Sequence, residues 1–355
     1  MRSNIPTKIL ITTIFFLSIA TSGCNLSYVL QAAKGQYRLL HESVPVTEAL
    51  DNPDLPAEQK ERLRLVAAIK EFGEKKLGLK TTGNYETVFL SSDLPPIYTI
   101  SASPKDKLEL VTWWFPVVGD MPYLGFFEIG KAEEEIIKLM LQGLDTTMGE
   151  GYAYSTLGWF EDPVTLNILE GTTVELVEVI LHEMTHTTLY LNGQGEFNEG
   201  LANMVGKIGA ALFLEKHFGP SHIFTKEAHN ILDDERIFSS FINSLFDKLN
   251  QLYNSPMSYD VKIKEREKIF TVSIQDFSQL KSQFRTDRYS YFGYNEMNNA
   301  YLMSIGLYHK HFTLFEKFLT LNENSISKML RSLKEMGTDG GDVLEKIKRI
   351  SVFAE

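Results

Sequence analysis

The pentapeptide His182-Glu183-Met184-Thr185-His186 constrains the fold of this chain more than any other segment. Side chains four residues apart in an α-helix lie one above the other on one face, so a helix lets both imidazoles reach a single ion. The glutamate after the first histidine then projects towards the open coordination position of that ion. The pattern predicts a helix with a catalytic zinc site, in which His182 and His186 are ligands and Glu183 is the general base.

The residues around this pentapeptide also favour a helix. Thr172 and Glu175 have the spacing of a capping box, and apolar residues between them and His182 supply a face that can be buried. Asn192 and Gly193 are typical of a C-terminal end. We therefore expect the helix to start near residue 172 and to stop near residue 192.

A catalytic zinc site needs a third protein ligand and one position left for water. The metzincin pattern is excluded, because the chain lacks its glycine and third histidine at the required spacing. The next acids are Glu196 and Glu199, after a short link that contains glycine. Glu199, near the start of a second predicted helix, is the preferred ligand and Glu196 the alternative. Asn203, one turn further on, could hold Glu199 or a histidine in place.

The composition is that of a folded protein and argues against nucleic acid as a partner. Hydrophobic residues make up 43% of the 355 residues, and the formal net charge is -11. Strand-like runs lie between residues 85 and 160, whereas almost everything after Thr172 has helical character. We expect an α+β, predominantly helical, zincin-like catalytic domain in which a small strand-bearing N-terminal half flanks the active-site cleft. Residues 24–170 and 171–355 would form its two portions in one unit.

The N-terminus has the features of an export signal. Two cations precede an apolar run from Ile9 to Ala20, which is too short to span a bilayer comfortably. The small residues Thr21-Ser22-Gly23 follow this run and directly precede Cys24, the only cysteine. The pattern predicts a lipoprotein signal peptide over residues 1–23 and a lipid anchor on Cys24 in the bacterial cell envelope, although Thr21 replaces the usual lipobox leucine. Asn25 is compatible with the outer membrane, and an ordinary signal peptide is the alternative.

The segment Asn198-Glu199-Gly200-Leu201-Ala202 resembles the third-ligand string of gluzincin aminopeptidases, with a shorter link to the two histidines. The whole chain is similar to a bacterial family of predicted zinc aminopeptidases that are classed as lipoproteins. The matching segments are Cys24 with Gln31-Ala32-Ala33-x-Gly35-Gln36, Trp114-Phe115-Pro116-Val117-x-Gly119, Ala153-Tyr154-Ser155-Thr156-Leu157-Gly158-Trp159-Phe160-x-Asp162-Pro163, the pentapeptide and Asn298-Asn299-Ala300. The resemblance implies a Zn²⁺ cofactor and peptide substrates.

A strand beside the zinc helix could pair with an extended peptide substrate. The segment from Tyr154 to Phe160 has strand character and is our candidate, with a buried core strand as the alternative. The predicted substrate-binding residues in it are Tyr154, Ser155, Thr156, Leu157 and Gly158.

The last third of the chain offers a donor for the oxyanion that peptide hydrolysis generates. A predicted helix over residues 296–312 contains Tyr301, Tyr308 and His309, of which Tyr308 is preferred. Asn298 and Asn299 could contact substrate or cap this helix, and Asn299 is taken as a substrate-binding candidate.

The sequence thus predicts zinc-dependent peptide hydrolysis, with an aminopeptidase as the first choice. Aminopeptidases need an acid for the free α-amine, and Glu150, Glu161 and Glu296 are candidates. The Gly-x-Met-Glu-Asn string that alanyl aminopeptidases use for this purpose does not precede the zinc helix. An endopeptidase of envelope protein quality control and a non-catalytic binding lipoprotein therefore stay as alternatives.

Overall fold

A computed structural model describes residues 37–91, 97–115, 119–151 and 161–353 of the chain. Cys24 and the candidate strand from Tyr154 to Phe160 lie outside these residues, so the anchor and the substrate-binding segment stay predictions. The described residues are mainly helical with a few short strands, which confirms the predicted fold class.

The strands form small sheets in the N-terminal half. They are β1 (Val44–Pro45), β2 (Thr87–Phe89), β3 (Ile97–Ser103), β4 (Trp113–Phe115), β5 (Gly119–Met121), β6 (Leu124–Phe126), β7 (Asp145–Gly151) and β8 (Val164–Thr165). The sheet orders are β1-β2-β8, β6-β3-β7 and β4-β5. In the second sheet β3 lies antiparallel to β7 over its whole length, from the pair Ile97–Gly151 to the pair Ser103–Asp145.

Helices dominate the rest of the chain. They are α1 (Val46–Asp51), α2 (Ala57–Phe72), α3 (Ile129–Leu141), α4 (Leu166–Glu170), α5 (Thr173–Thr188), α6 (Gly195–Phe218), α7 (Ile223–Tyr253), α8 (Tyr259–Leu280), α9 (Asn299–His309), α10 (Phe312–Leu321), α11 (Ile326–Thr338) and α12 (Val343–Phe353). Residues 37–42 are also helical, α2 continues into a π-helical turn (Gly73–Leu77), and a 3₁₀ turn (Lys281–Gln283) follows α8. None of the described helices is both long and apolar enough to cross a membrane.

The predicted start of α5 is confirmed, and its predicted end is wrong. Thr172 Oγ1 accepts a hydrogen bond from the Glu175 amide at 3.2 Å, and the Thr172 amide donates to the Glu175 carboxylate at 2.8 Å. The helix ends at Thr188, and Gly193 instead adopts φ 75° in the link to α6. The helix stops early because α6 begins already at Gly195, so the chain must reverse direction within a few residues.

Helices α5 and α6 pack against each other in the main hydrophobic core. This core contains residues from both predicted portions, including Val88 and Val164 from the strands and Leu181 and Val205 from the two helices. A second core cluster joins α7, α8 and α9, and a third lies under the β6-β3-β7 sheet. Most side chains of α6 are buried, so this helix has little freedom to shift relative to α5.

Candidate metal centre

Helix α5 places both histidines of the pentapeptide on one face. The Nε2 atoms of His182 and His186 lie 3.1 Å apart, so both ring nitrogens point at the same space. His186 is buried, whereas His182 and Glu183 are partly exposed. The Nδ1 atom of His186 is buried, and no hydrogen-bond partner for it is seen among the described residues. Packing within α5 and α6 therefore orients this ring.

Helix α6 brings a buried carboxylate to the two rings. Glu199 Oε2 lies 3.4 Å from His182 Nε2 and 3.6 Å from His186 Nε2. Ligand atoms held by one tetrahedral zinc ion at its usual bond lengths lie about 3.3 Å apart. The three side chains are the one His, Cys, Asp and Glu cluster among the described residues with metal-ligand spacing. Their donor set and separations fit a zinc ion.

Asn198 explains how so short a link can deliver Glu199. Its side chain accepts a hydrogen bond from the Leu191 amide at 2.9 Å and donates one to the Leu191 carbonyl at 2.8 Å. These two bonds fix the turn after α5 to the first turn of α6. The asparagine of the Asn-Glu-Gly string therefore has a structural task, which is to hold the backbone next to the candidate ligand.

A glycine lets the two helices approach each other closely. A Cβ atom at Gly206 would lie 2.8 Å from the Glu178 carbonyl oxygen and 3.4 Å from His182 Cβ. Real Cβ atoms essentially never approach an oxygen that closely. Gly206 is thus required where α6 crosses the turn of α5 that carries His182.

The electrostatics of the three side chains favour a cation between them. Burial by itself would raise the pKa of Glu199, but the adjacent His186 and His182 bring that pKa well below its usual range. Burial works against a protonated His186, yet the Glu199 carboxylate raises its pKa overall. The buried Glu199 charge thus favours positive charge next to it, which a divalent cation can supply.

The alternative ligand Glu196 has other partners. Its Oε2 atom lies 2.7 Å from His311 Nε2 and 3.3 Å from Lys310 Nζ. Burial opposes its ionisation, but these two side chains lower the pKa of Glu196 to about 2. The structure therefore separates Glu196 from the candidate metal centre and groups Glu199 with the histidines.

Tyr308, the candidate oxyanion donor, lies beside the candidate centre. Its ring stacks on that of His182 with the ring centroids 6.2 Å apart. The Glu199 carboxylate, together with burial, raises the pKa of Tyr308 well above its usual value. The phenol therefore keeps its proton and can donate it in a hydrogen bond. Of the other two candidates, His309 already has a partner, since its Nδ1 lies 2.7 Å from Glu235 Oε1.

A cavity of about 240 Å³ opens next to His182 and Glu183. Glu178, Lys207 and Arg288 also line it, and sequence reasoning missed all three. Glu178 could have been found, because it lies four residues before His182 on the same helical face. Arg288 gave no signal, since it lies in an irregular segment more than 100 residues away.

Two asparagines do not act as predicted. Asn299 is fully buried, and its amide group donates to the carbonyls of Pro104 and Lys107 at 2.9 Å each. It therefore holds the loop after β3 and does not line the cavity. Asn203 does line the cavity, but its side-chain hydrogen bonds among the described residues go to the Tyr308 carbonyl at 2.8 Å and to Lys207 Nζ at 2.8 Å. Asn203 thus positions Tyr308.

None of the three acids proposed for the α-amine reaches this cavity. Among the described residues that line it, the carboxylates are Glu178 and Glu183, and Glu150, Glu161 and Glu296 are not present. The cavity therefore has a candidate base, Glu183, and a phenol, Tyr308, beside the ligand cluster. None of the three predicted acids is there to bind the α-amine of a substrate.

The comparison with protein families gives one match. The sequence model of the family Aminopep, described as "Putative aminopeptidase", covers residues 27–342. The chain belongs to the Aminopep family. This match includes the two histidines, Glu199 and Tyr308, so the candidate centre lies within the region that defines the Aminopep proteins. No curated protein and no solved structure matches the chain.

Proposed function

We propose that this protein is a zinc-dependent aminopeptidase of the bacterial cell envelope. One observation carries the proposal: His182, His186 and Glu199 converge at separations that suit one tetrahedral zinc ion. Membership of the Aminopep family supports peptides as the substrates. The lipoprotein-like N-terminus supports the envelope and a lipid anchor on Cys24.

The residues of the cavity have distinct roles in this proposal. When bound, zinc supplies a Lewis acid that polarises the peptide carbonyl and acidifies a water molecule. Glu183 accepts a proton from the attacking water on its carboxylate and passes that proton to the leaving amine. The Tyr308 hydroxyl donates a hydrogen bond to the carbonyl oxygen as negative charge develops on it.

The variant Glu183→Gln tests the general base. Gln keeps the shape of the side chain but cannot accept the proton, so kcat should fall by roughly 10²–10⁴-fold. Zinc content should equal that of the parent, because Glu183 is not among the three ligand candidates. We would measure metal by atomic absorption and turnover on a peptide library. A variant that cleaves as fast as the parent would falsify the assignment of Glu183.

Peptides with free and acetylated N-termini separate an aminopeptidase from an endopeptidase. The endopeptidase alternative gains support from the cavity, because neither Glu178 nor Glu183 is a free acid for an α-amine. An aminopeptidase should cleave the first bond of free peptides and leave acetylated ones intact. Internal cleavage of acetylated peptides would favour the endopeptidase. A zinc-loaded protein that cleaves nothing in the library would favour a non-catalytic binding lipoprotein. The presence of Glu183 argues against that alternative, because a binding protein needs no general base.

A further inference from the structure

Arg288 lies in the wall between two adjoining cavities. One is the cavity beside His182 and Glu183, and the other has a volume of about 330 Å³ and a mainly aromatic lining. The aromatic residues of the second cavity are Phe238, Tyr289, Tyr291, Phe292, Tyr301 and Tyr308. Both cavities share Arg288, Lys207, Asn203 and Tyr308. A substrate that extends from the metal centre along this wall therefore passes the Arg288 side chain.

Two buried acids of α7 hold the segment that carries Arg288. The amides of Arg285 and Thr286 donate to the Asp234 carboxylate at 2.8 Å each. Tyr289 OH donates to Glu235, the next residue of α7. Both carboxylates are fully buried. Burying two charges is costly unless they are well bonded, so this anchoring fixes residues 285–289 firmly on α7.

The guanidinium of Arg288 has unused donors. Nη2 donates to Glu178 Oε2 at 2.5 Å, and within the part of the chain that the structure describes this is the one partner of the group. An arginine offers five N–H donors in a planar fork. The Arg288 side chain is 29% exposed, whereas Glu178 is 8% exposed. The remaining donors can therefore face the cavity.

Glu178 is shared between Arg288 and a second cation, Lys207. Lys207 Nζ lies 3.9 Å from Glu178 Oε2 and 3.5 Å from Glu235 Oε2. Its third neighbour is Asn203 Oδ1 at 2.8 Å. Arg288 and Lys207 both line the cavity, but Lys207 is 5% exposed and held by Glu178, Glu235 and Asn203, so Arg288 is the cation that a ligand can reach. A ligand carboxylate that reaches Arg288 would gain charge-assisted hydrogen bonds from its remaining donors.

The position of Arg288 sets which part of a substrate it can reach. Its partner Glu178 lies one helical turn before His182, which is about 6 Å along the axis of α5. One residue of an extended peptide spans about 3.5 Å. A group bound by Arg288 is therefore one or two residues from the bond that is cleaved.

We propose that Arg288 is a specificity-determining residue that binds a substrate carboxylate one or two residues from the scissile bond. This inference rests on the proposed function. The carboxylate is either the C-terminus of a short peptide or an Asp or Glu side chain, since both offer the same two oxygens. The residue that carries it has the aromatic-lined cavity beside it for its own side chain.

The first experiment uses the parent zinc-loaded protein and matched peptides. Tripeptides with a free C-terminus are compared with their C-terminal amides, and amidated peptides with Asp are compared with the same peptides with Asn. At least one acid should have a kcat/KM about tenfold or more above its neutral partner, because a charged hydrogen bond contributes roughly 1.5–3 kcal/mol. A difference between free and amidated C-termini would identify the C-terminus as the source of the carboxylate. A difference between Asp and Asn peptides would identify the side chain. Equal rates within both pairs would overturn the proposal.

The variant Arg288→Met should remove the preference by raising KM for the acid to about that of its neutral partner. Arg288→Lys keeps the charge but not the planar fork, so it should retain part of the preference. Arg285→Met is the matched control, because Arg285 lies in the same segment and pairs with Asp233 at 2.7 Å outside both cavities. A preference that persists in a folded Arg288→Met protein would contradict the role of Arg288.

A binding measurement separates this inference from the proposed function. The Glu183→Gln protein is titrated with the acid and amide peptides by calorimetry, with and without added zinc. The acid peptide should bind more tightly than the amide, and this difference should disappear in the double variant Glu183→Gln, Arg288→Met. That result would support the carboxylate site even if no peptide is cleaved. Equal binding of acid and amide with cleavage intact in the parent would leave the peptidase standing and remove the carboxylate site.

Discussion

At the residue scale, the two glutamates at the start of α6 have different partners. Glu196 bonds to His311 and Lys310, and Glu199 faces the two histidines of α5. Both carboxylates have a lowered pKa, because each has basic neighbours. Both charges are therefore stabilised, and their positions distinguish a candidate ligand from a structural ion pair.

The pair offers a direct test of the third ligand. Glu199→Gln should weaken zinc binding by more than the roughly 10–100-fold that the loss of an outer-shell partner costs. Glu196→Gln should leave zinc affinity close to that of the parent, since its partners lie outside the centre. Competition with a chromogenic chelator would measure both. The reverse order of the two affinities would show that Glu196 is the ligand.

Tyr308 gives a second test at this scale. Tyr308→Phe removes the donor but keeps the ring next to His182, so kcat should fall by about 10²–10³-fold with KM and zinc content little changed. Turnover and bound zinc should be measured on the same preparation. A parallel loss of zinc would mean that the hydroxyl holds Glu199 and does not act on the substrate.

At the scale of elements, the site depends on the contact between α5 and α6. Helix α5 supplies both histidines and the base, and α6 supplies the carboxylate, so neither helix forms a site alone. Gly206 allows the close approach in the middle of α6. The two hydrogen bonds between Asn198 and Leu191 fix the position of α6 near its N-terminus. A shift of α6 would therefore move Glu199 away from the rings.

Adding one methyl group at Gly206 should show this dependence. Gly206→Ala places its Cβ against the Glu178 carbonyl and should destabilise the protein by about 1–3 kcal/mol. Gly130→Ala is the matched control, because nothing lies within 4 Å of its Cβ in α3, and it should be neutral or stabilising by up to about 1 kcal/mol. Denaturant titration measures both. Equal stability of the two variants would show that the helices adjust freely.

At the scale of the whole molecule, buried and partly buried carboxylates connect distant parts of the chain. Glu235 on α7 bonds to His309 on α9 and to Tyr289, and Glu196 on α6 bonds to His311 after α9. Burial opposes the ionisation of Glu235, but His309 and Lys207 lower its pKa to about 2. These contacts join the C-terminal helices around the candidate centre.

The metal-free protein should consequently lose stability in acid. The folded-state pKa of Glu196 and Glu235 is about 2, below the unfolded value of 4.5. The unfolded chain binds more protons between these values, so the contribution of both groups is complete above about pH 4.5 and disappears as pH falls towards 2. The free energy of unfolding should be measured from pH 6 to pH 2. Glu196→Gln should show a shallower decrease, and an identical slope would contradict the Glu196 pKa.

The sequence by itself determined the parts that depend on local spacing. The capping box, the helix of the pentapeptide and the position of two histidines four residues apart follow from helix geometry, which involves only neighbours in the chain. The predominantly helical α+β class also followed from the periodicity of apolar residues.

Only the tertiary structure decided which distant groups meet at that helix. It grouped Glu199 and not Glu196 with the two histidines, placed Tyr308 next to His182, gave Asn299 buried backbone partners and brought Arg288 into the cavity. The physical reason is that these choices depend on how α5, α6, α7 and α9 pack. Packing is set by the complementary shapes of buried side chains and by glycines such as Gly206, and no spacing along the chain encodes it.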